Sequence, residues 1–246
     1  MPRFFVKNEQ IDSEIINIIG EDVKHIKNVL RKEKGDIIEI CDTDTSILYN
    51  CEIKDFQDNH IIAKILETKN EIKENVIVDI YQGLPKADKM ELIIQKAVEL
   101  GVNSIIPLKL TRCVVKLDNK TELKKIERWQ KIAESAAKQS GRLNIPKIEN
   151  VTNIQNLASK IKDYDIIIVC YENEKLNTLK SELKKLEKQK HTKIGIVIGP
   201  EGGIEEKEIQ ELEQNGAKIV TLGNRILRTE TVALNVLSII MYELEN

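Results

Sequence analysis

Ile198-Gly199-Pro200-Glu201-Gly202-Gly203 ends the apolar run from Lys193 and precedes an acid-rich stretch that begins with Glu205 and Glu206. An apolar run of strand length that stops at glycines and gives way to a helical pattern reads as the strand, turn and helix of a parallel α/β sheet. Three glycines and a proline permit a tight turn with close backbone approach. The turn is expected to present N–H groups at a helix N-terminus to a ligand. The spacing matches neither the dinucleotide fingerprint G-x-G-x-x-G nor the P-loop G-x-x-x-x-G-K-[ST]. Sheets of this class bind ligands beyond the carboxyl ends of their strands, which favours a ligand site over a turn that needs glycine only for its geometry.

Two further strand ends have the same character. Ala217 to Leu222 leads into Gly223-Asn224-Arg225-Ile226-Leu227-Arg228-Thr229-Glu230-Thr231, where two arginines, a glycine and two threonines stand before a helix over 230 to 244. That helix is apolar almost all round (Val232, Ala233, Leu234, Val236, Leu237, Ile239, Ile240, Met241) and is therefore expected to be buried, in part against a second subunit. A cation so close to an interior helix usually has a partner, which makes Arg228 a candidate functional residue. The third end, Val169-Cys170-Tyr171-Glu172, follows the apolar strand 165 to 170.

Upstream, Val76 to Tyr81 reads as a strand, Asp88-Lys89-Met90-Glu91 as a capping-box-like start, and Met90, Ile93, Ile94, Ala97 and Leu100 as the inner face of a helix stopped by Gly101. Ser104 to Leu110 is the next strand. A helix over 121 to 139 is predicted with Leu123, Ile126, Ala133 and Ala137 facing inward, and further helices are predicted over 175 to 189 and 204 to 215. Residues 1 to 72 differ in texture. Short β segments (36 to 40, 48 to 53, 60 to 66) alternate with Gly and Asp/Asn turns, and the helical candidate Glu21 to Leu30 is followed by a glycine stop at Gly35. The expected organisation is a β-rich module over 1 to 72 and an α/β domain over 73 to 246, divided in the polar stretch 69 to 74.

The 246 residues are 32% charged and 41% hydrophobic, with a formal net charge of −2. No window approaches the roughly 18 apolar residues of a membrane span, and Met1 to Phe5 lacks the pattern of a cleaved leader, so a cytosolic protein is expected. Cys41, Cys51, Cys113 and Cys170 lie in spacings that suit neither zinc nor a disulfide framework, and no metal is expected. The near-neutral balance argues against indiscriminate binding to polyanions. Between residues 81 and 150, however, 14 Lys/Arg face 8 Asp/Glu, a local excess suited to phosphate contact. Trp129 in this region has two readings, stacking on a base or packing beneath its helix.

Gly199-Pro200-Glu201-Gly202-Gly203, followed by Leu222 to Thr231, resembles the SPOUT methyltransferase superfamily. Within it the chain is similar to the RsmE family, which methylates N3 of a uridine in small-subunit ribosomal RNA with S-adenosylmethionine. The likeness extends through His25 to Arg31, Lys86 to Glu91, Gln95 to Val102, Thr111-Arg112-Cys113, Arg128-Trp129 and Ala136 to Arg142. Ile204 and Val232 replace the family's usual aromatic and alanine.

The resemblance implies a small N-terminal PUA-like β-barrel and an α/β domain with a mostly parallel sheet and a C-terminal deep trefoil knot, a threading that general connection rules disfavour. It implies a homodimer, and as partner 16S ribosomal RNA in the assembled small subunit. Cofactor contacts are expected from Tyr171, Glu172, Ile198, Gly199, Gly202, Leu222, Gly223, Ile226 and Leu227. Arg228 is expected to stabilise charge on the uracil oxygens, with Glu201 or Glu230 accepting the N3 proton or positioning the base. Arg3, Arg31, Lys86, Arg112 and Arg142 are the expected RNA contacts. The competing readings are a non-catalytic RNA-binding protein, an α/β enzyme for a small nucleotide, and a SPOUT enzyme that modifies another RNA position.

Overall fold

The computed structural model describes residues 3–69, 75–186 and 192–245. The chain divides into two compact units, residues 1–73 with 137–145 and residues 74–136 with 146–246. The polar stretch expected to separate two domains, and the end of the helix expected over 175 to 189, fall partly outside the described residues.

In the first unit, alternating apolar residues build six strands: β1 (Arg3–Val6), β2 (Ile11–Asp12), β3 (Ile15–Ile19), β4 (Ile37–Asp42), β5 (Leu48–Phe56) and β6 (His60–Lys69). They pair in the order β1-β4-β5-β6-β3-β2, antiparallel except for β1 with β4. Every second side chain points inward, so Phe4, Val6, Ile16, Ile18, Ile38, Ile40, Ile61 and Ala63 share one core with Val23 and Ile26. Register shifts at Asn50/Cys51 and Ile53/Asp55 bend the long β5–β6 pair, as bulges do, and the sheet curls around that core. The helix expected over 21 to 30 is a single α-turn, α1 (Glu21–Lys24), continued by a π-turn over His25–Val29. Its stop is Arg31 in the left-handed region at φ 50°, with Lys32 N–H donating to the Ile26 carbonyl, while Gly35 serves a later turn.

The second unit is a parallel sheet made of β7 (Val76–Gly83), β8 (Ser104–Lys109), β9 (Lys147–Ile148), β10 (Thr152–Asn153), β11 (Ile166–Cys170), β12 (Thr192–Ile198) and β13 (Lys218–Val220). Their order is β10-β8-β7-β12-β11-β13, with β9 alongside β8. The near-continuous apolar runs are buried on both faces. Val169, Val197 and Ile219 pack with α4 (Ile154–Lys160) and α6 (Glu206–Gln214) on one side. On the other, α7 (Thr229–Leu244) packs against β7, β12 and α2 (Lys89–Glu99). β12 therefore lies between β7 and β11, and three strand ends converge where the glycine-rich turns were expected to form a crevice.

Several local expectations change. The helix α3 (Asn119–Ser140) turns Trp129, Ala133, Ala136 and Ala137 inward, so Trp129 packs in the interior with Lys125 Nζ 5.6 Å from its ring centroid. Leu123, expected inside, is 60% exposed, because six residues of helix before Trp129 carry it off the buried stripe. Among its described residues, the segment from 175 contains one short helix, α5 (Leu179–Leu183), started by the Thr178 hydroxyl accepting from Ser181 N–H. Asp88 precedes α2 without a side-chain cap, and Glu91 pairs with Arg128 instead of closing a box.

Candidate active site

A cavity of about 440 Å³ opens at the carboxyl ends of β11, β12 and β13. Of the residues expected at the cofactor, Tyr171, Glu172, Ile198, Gly199, Leu222, Gly223, Ile226 and Leu227 line it, together with Glu201 and Arg228. Gly202 and Glu230 do not. Gly203 lines it instead of Gly202, while Pro200, Cys170, Lys175, Thr221, Asn224, Arg225, Thr229, Val232 and Lys89 complete the wall.

The glycine-rich turn owes its shape to close contacts. Gly203 N–H donates to the Pro200 carbonyl at 2.9 Å, and Gly203 has φ 72°, a conformation costly for other residues. Its α-carbon lies directly beneath the Glu172 carboxylate. Gly83, at the end of β7, leaves room for Pro200, whose ring and nitrogen would lie 2.7 Å from any β-carbon there. The helix after the turn does not present its N-terminus to the cavity. Glu208 Oε2 accepts from Glu205 N–H at 3.0 Å and closes the start of α6, and its Oε1 accepts from Thr111 N–H and Oγ1. The helix start that borders the cavity belongs to α7, through Arg228, Thr229 and Val232.

Two sets of contacts fix that helix start, and sequence reasoning missed both. Buried Gln82 donates from Nε2 to Thr229 Oγ1 at 2.9 Å, and Thr229 Oγ1 donates to the Gly199 carbonyl at 2.7 Å. Beside them, Lys89 Nζ stands 2.9 Å from Glu201 Oε1 and 3.3 Å from Glu230 Oε2. The second contact is within ion-pair range but off hydrogen-bond alignment, and Glu230 Oε2 is buried without a hydrogen bond among the described residues. Lys86 N–H adds two longer bonds to the Glu201 carboxylate. Burial pushes the Glu201 carboxyl up, but the Lys89 ammonium and the backbone N–H groups outweigh it and hold the carboxyl below its usual range. The same pairing, with Glu201 foremost, raises Lys89. Arg228 is exposed, and its guanidinium makes no hydrogen bond or ion pair among the described residues.

The loop after β11 is held by Glu174, whose Oε1 accepts from the N–H groups of Lys175, Leu176 and Asn177. Those bonds, led by the one from Asn177, lower its carboxyl. Asn177 Nδ2 then donates to the Ile219 carbonyl and ties this loop to β13.

The five basic residues expected at RNA fall into different settings. Lys86 is exposed, and exposed Arg112 donates to the Gly202 carbonyl at 3.2 Å, against the back of the glycine turn. In the first unit Arg31 is exposed, whereas Arg3 bonds the Gly141 carbonyl and pairs with Glu39. Arg142 is buried and donates from Nε and Nη2 to Asn144 Oδ1. Arg3 and Arg142 are thus committed to internal contacts.

Residues 73–241 match the model of an RNA methyltransferase domain and residues 18–66 that of an RNA methyltransferase PUA domain. The chain is 40% identical over 253 residues to the ribosomal RNA small subunit methyltransferase E of Bacillus subtilis, covering 100% of this chain and 98% of that protein. It is 34% identical to the protein of the same name from Mesomycoplasma hyopneumoniae, covering 97% and 98%. Among solved structures it resembles a ribosomal RNA small subunit methyltransferase E from Neisseria gonorrhoeae bound to S-adenosyl methionine, at 28% identity and a TM-score of 0.86 over 99% and 98% of the two chains. A strand-end cavity walled by the glycine-rich and arginine-bearing turns, carried on a chain that matches these proteins from end to end, places the protein in the ribosomal RNA small subunit methyltransferase E family.

Proposed function

We propose that the protein transfers a methyl group from S-adenosylmethionine to N3 of a uridine in 16S ribosomal RNA of the small subunit. The observation that carries this reading is the Arg228 guanidinium, unpaired among the described residues, beside the strand-end cavity at the N-cap of α7. The cavity suits the cofactor. Its volume falls within the ~300–1,000 Å³ of small-molecule sites, and Ile198, Ile226, Leu227 and Val232 give an apolar lining for an adenine ring. The Tyr171-Glu172 loop, the Gly199 turn and the Leu222-Gly223 segment would hold it. When bound, the cofactor supplies an electrophilic methyl group on a sulfonium.

Uridine N3 carries a proton at neutral pH and is used in base pairing, so the base must be unpaired and presented at the cavity mouth. Arg228 stabilises the charge that develops on the uracil oxygens as the N3 proton leaves to solvent. Glu201, held ionised below its usual range, is too weak a base to take that proton, and its carboxylate pairs with Lys89 instead. Glu230 lies behind Lys89 and anchors it. Lys86 and Arg112, with Arg31 on the PUA domain, supply phosphate contacts. The reading includes a 1–72 and 73–246 division of labour between RNA binding and catalysis, a knotted path for the chain as α7 returns from the edge strand β13 to the central strands, and a homodimer, which light scattering tests directly.

Replacing Arg228 with Ala is expected to lower turnover by at least about a hundredfold, in the range of lost oxyanion donors, while S-adenosylhomocysteine still binds. Small subunits and naked rRNA, incubated with labelled S-adenosylmethionine and digested to nucleosides, report the modified position. Full turnover by R228A, or label on another nucleoside, overturns the assignment.

A further inference from the structure

The wall of the cavity carries four cationic side chains, Lys89, Lys175, Arg225 and Arg228, and two carboxylates, Glu172 and Glu201. A guanidinium that meets a carboxylate makes one of the stronger polar contacts a surface offers, yet among the described residues Arg228 pairs with neither Glu172 nor Glu201. Glu201 is taken by Lys89 Nζ at 2.9 Å and by Lys86 N–H, and Glu230, two residues along from Arg228, faces the same ammonium at 3.3 Å. Lys89 reaches both from the first position of α2, so one cation stands 2.9 Å from Glu201 and within ion-pair range of Glu230.

We propose that Lys89 is a positioning residue whose ammonium occupies Glu201 and Glu230 and thereby keeps the Arg228 guanidinium unpaired for the RNA base. The proposal rests on the catalytic role given to Arg228 above. It makes the lysine indispensable only while Glu201 bears a charge. Of the other cations on the cavity wall, Lys175 donates to the Glu172 carbonyl, which leaves Arg225 and Arg228 to neutralise Glu201 when Lys89 is removed, and a captured Arg228 stabilises no substrate charge. Lys89 also joins the β7–α2 connection, the glycine turn and α7, so a purely structural role must be separated from this one.

The test is a double-mutant cycle on the full chain, K89M, E201Q and K89M/E201Q, assayed for methyl transfer to small subunits lacking the modification. K89M is expected to lose at least about a hundredfold in kcat with the KM for subunits and the affinity for S-adenosylhomocysteine within about threefold. E201Q and K89M/E201Q are expected to differ by less than about threefold, because the neutral amide that E201Q introduces has no charge with which to capture the arginine. An arginine-specific NMR experiment reads the cause directly. The Arg228 Nε proton, assigned through R228K, should exchange more slowly in K89M than in the wild type.

Equal loss of kcat on removing Lys89 from the E201Q background, an inactive E201Q, or unchanged Arg228 exchange in K89M each overturns the proposal. If K89M does not fold, the comparison of E201Q with K89M/E201Q decides, and failure of that double variant to fold shows a structural role instead. A wild-type protein that binds S-adenosylhomocysteine but methylates no RNA refutes the proposed function, while the exchange measurement still answers for Lys89.

Discussion

Gly203 shows how much one missing side chain supports. At φ 72°, with the Glu172 carboxylate over its α-carbon, it holds the glycine turn and the β11 loop together at the cavity wall. G203A is expected to cost about 1–2 kcal/mol from the left-handed backbone and to displace Glu172, weakening S-adenosylhomocysteine binding. Urea unfolding and calorimetry check both parts, and unchanged stability with unchanged affinity contradicts them. Glu201 gives a pH prediction. Its carboxyl lies below the ordinary value of 4.5 in the folded chain, so its contribution to stability is complete above that pH and is lost as pH falls through the lower folded value. Urea midpoints at about pH 7 and about pH 3.5 should therefore converge more in E201Q than in the wild type; equal acid sensitivity argues against it. The glycines and Arg228 were legible because their types are unusual at strand ends. Lys89 was not, because in a segment rich in lysine nothing local separates an ion-paired lysine from a solvated one.

Among elements, α6 depends on one carboxylate. Glu208 accepts from Glu205 N–H and from both polar groups of Thr111, so it caps its own helix and fastens the turn after β8 to it. E208A is expected to destabilise by about 1–2 kcal/mol, and E208Q, which keeps one acceptor oxygen, by less. Denaturant midpoints give the order, and an E208A no less stable than E208Q refutes it. The all-round apolar character of α7 announced a buried helix, and its Ala233, Val236, Leu237, Ile240 and Met241 are buried. The segment from Thr178 was harder. Its lysines and leucines have helical spacing, yet Asn177 and Thr178 are drawn to β13 by side-chain and backbone bonds, and among the described residues five form helix. Local propensity lost there to tertiary pairing.

Across the whole molecule, the cysteines offer a probe of each unit by itself. Burial pushes the thiols of Cys51 in the first unit and Cys170 in the second up to about 12. Neither is expected to react with a maleimide at about pH 7.5 except through opening, so their labelling rates report the opening of the two units separately, while half-buried Cys113 labels first. Mass-mapped labelling checks the order, and rapid reaction at Cys170 in the native protein contradicts it. The two-part texture of the sequence and its alternation of strands and helices were visible in periodicity. The order of the strands was not, because hydrophobic period says which face is buried and nothing about which neighbour a strand takes.

That order has a consequence for the protein's own birth. Val76 pairs with Thr192, and β12 fills the slot between two strands synthesised before it, while α7 covers the sheet last of all. Contacts between such distant parts of the chain cannot form until β12 has followed β7 and β11 out of the ribosome. The nascent second unit therefore spends much of its synthesis with its central strand missing and two apolar strand edges unsealed, and it depends on β12 and α7 to close them.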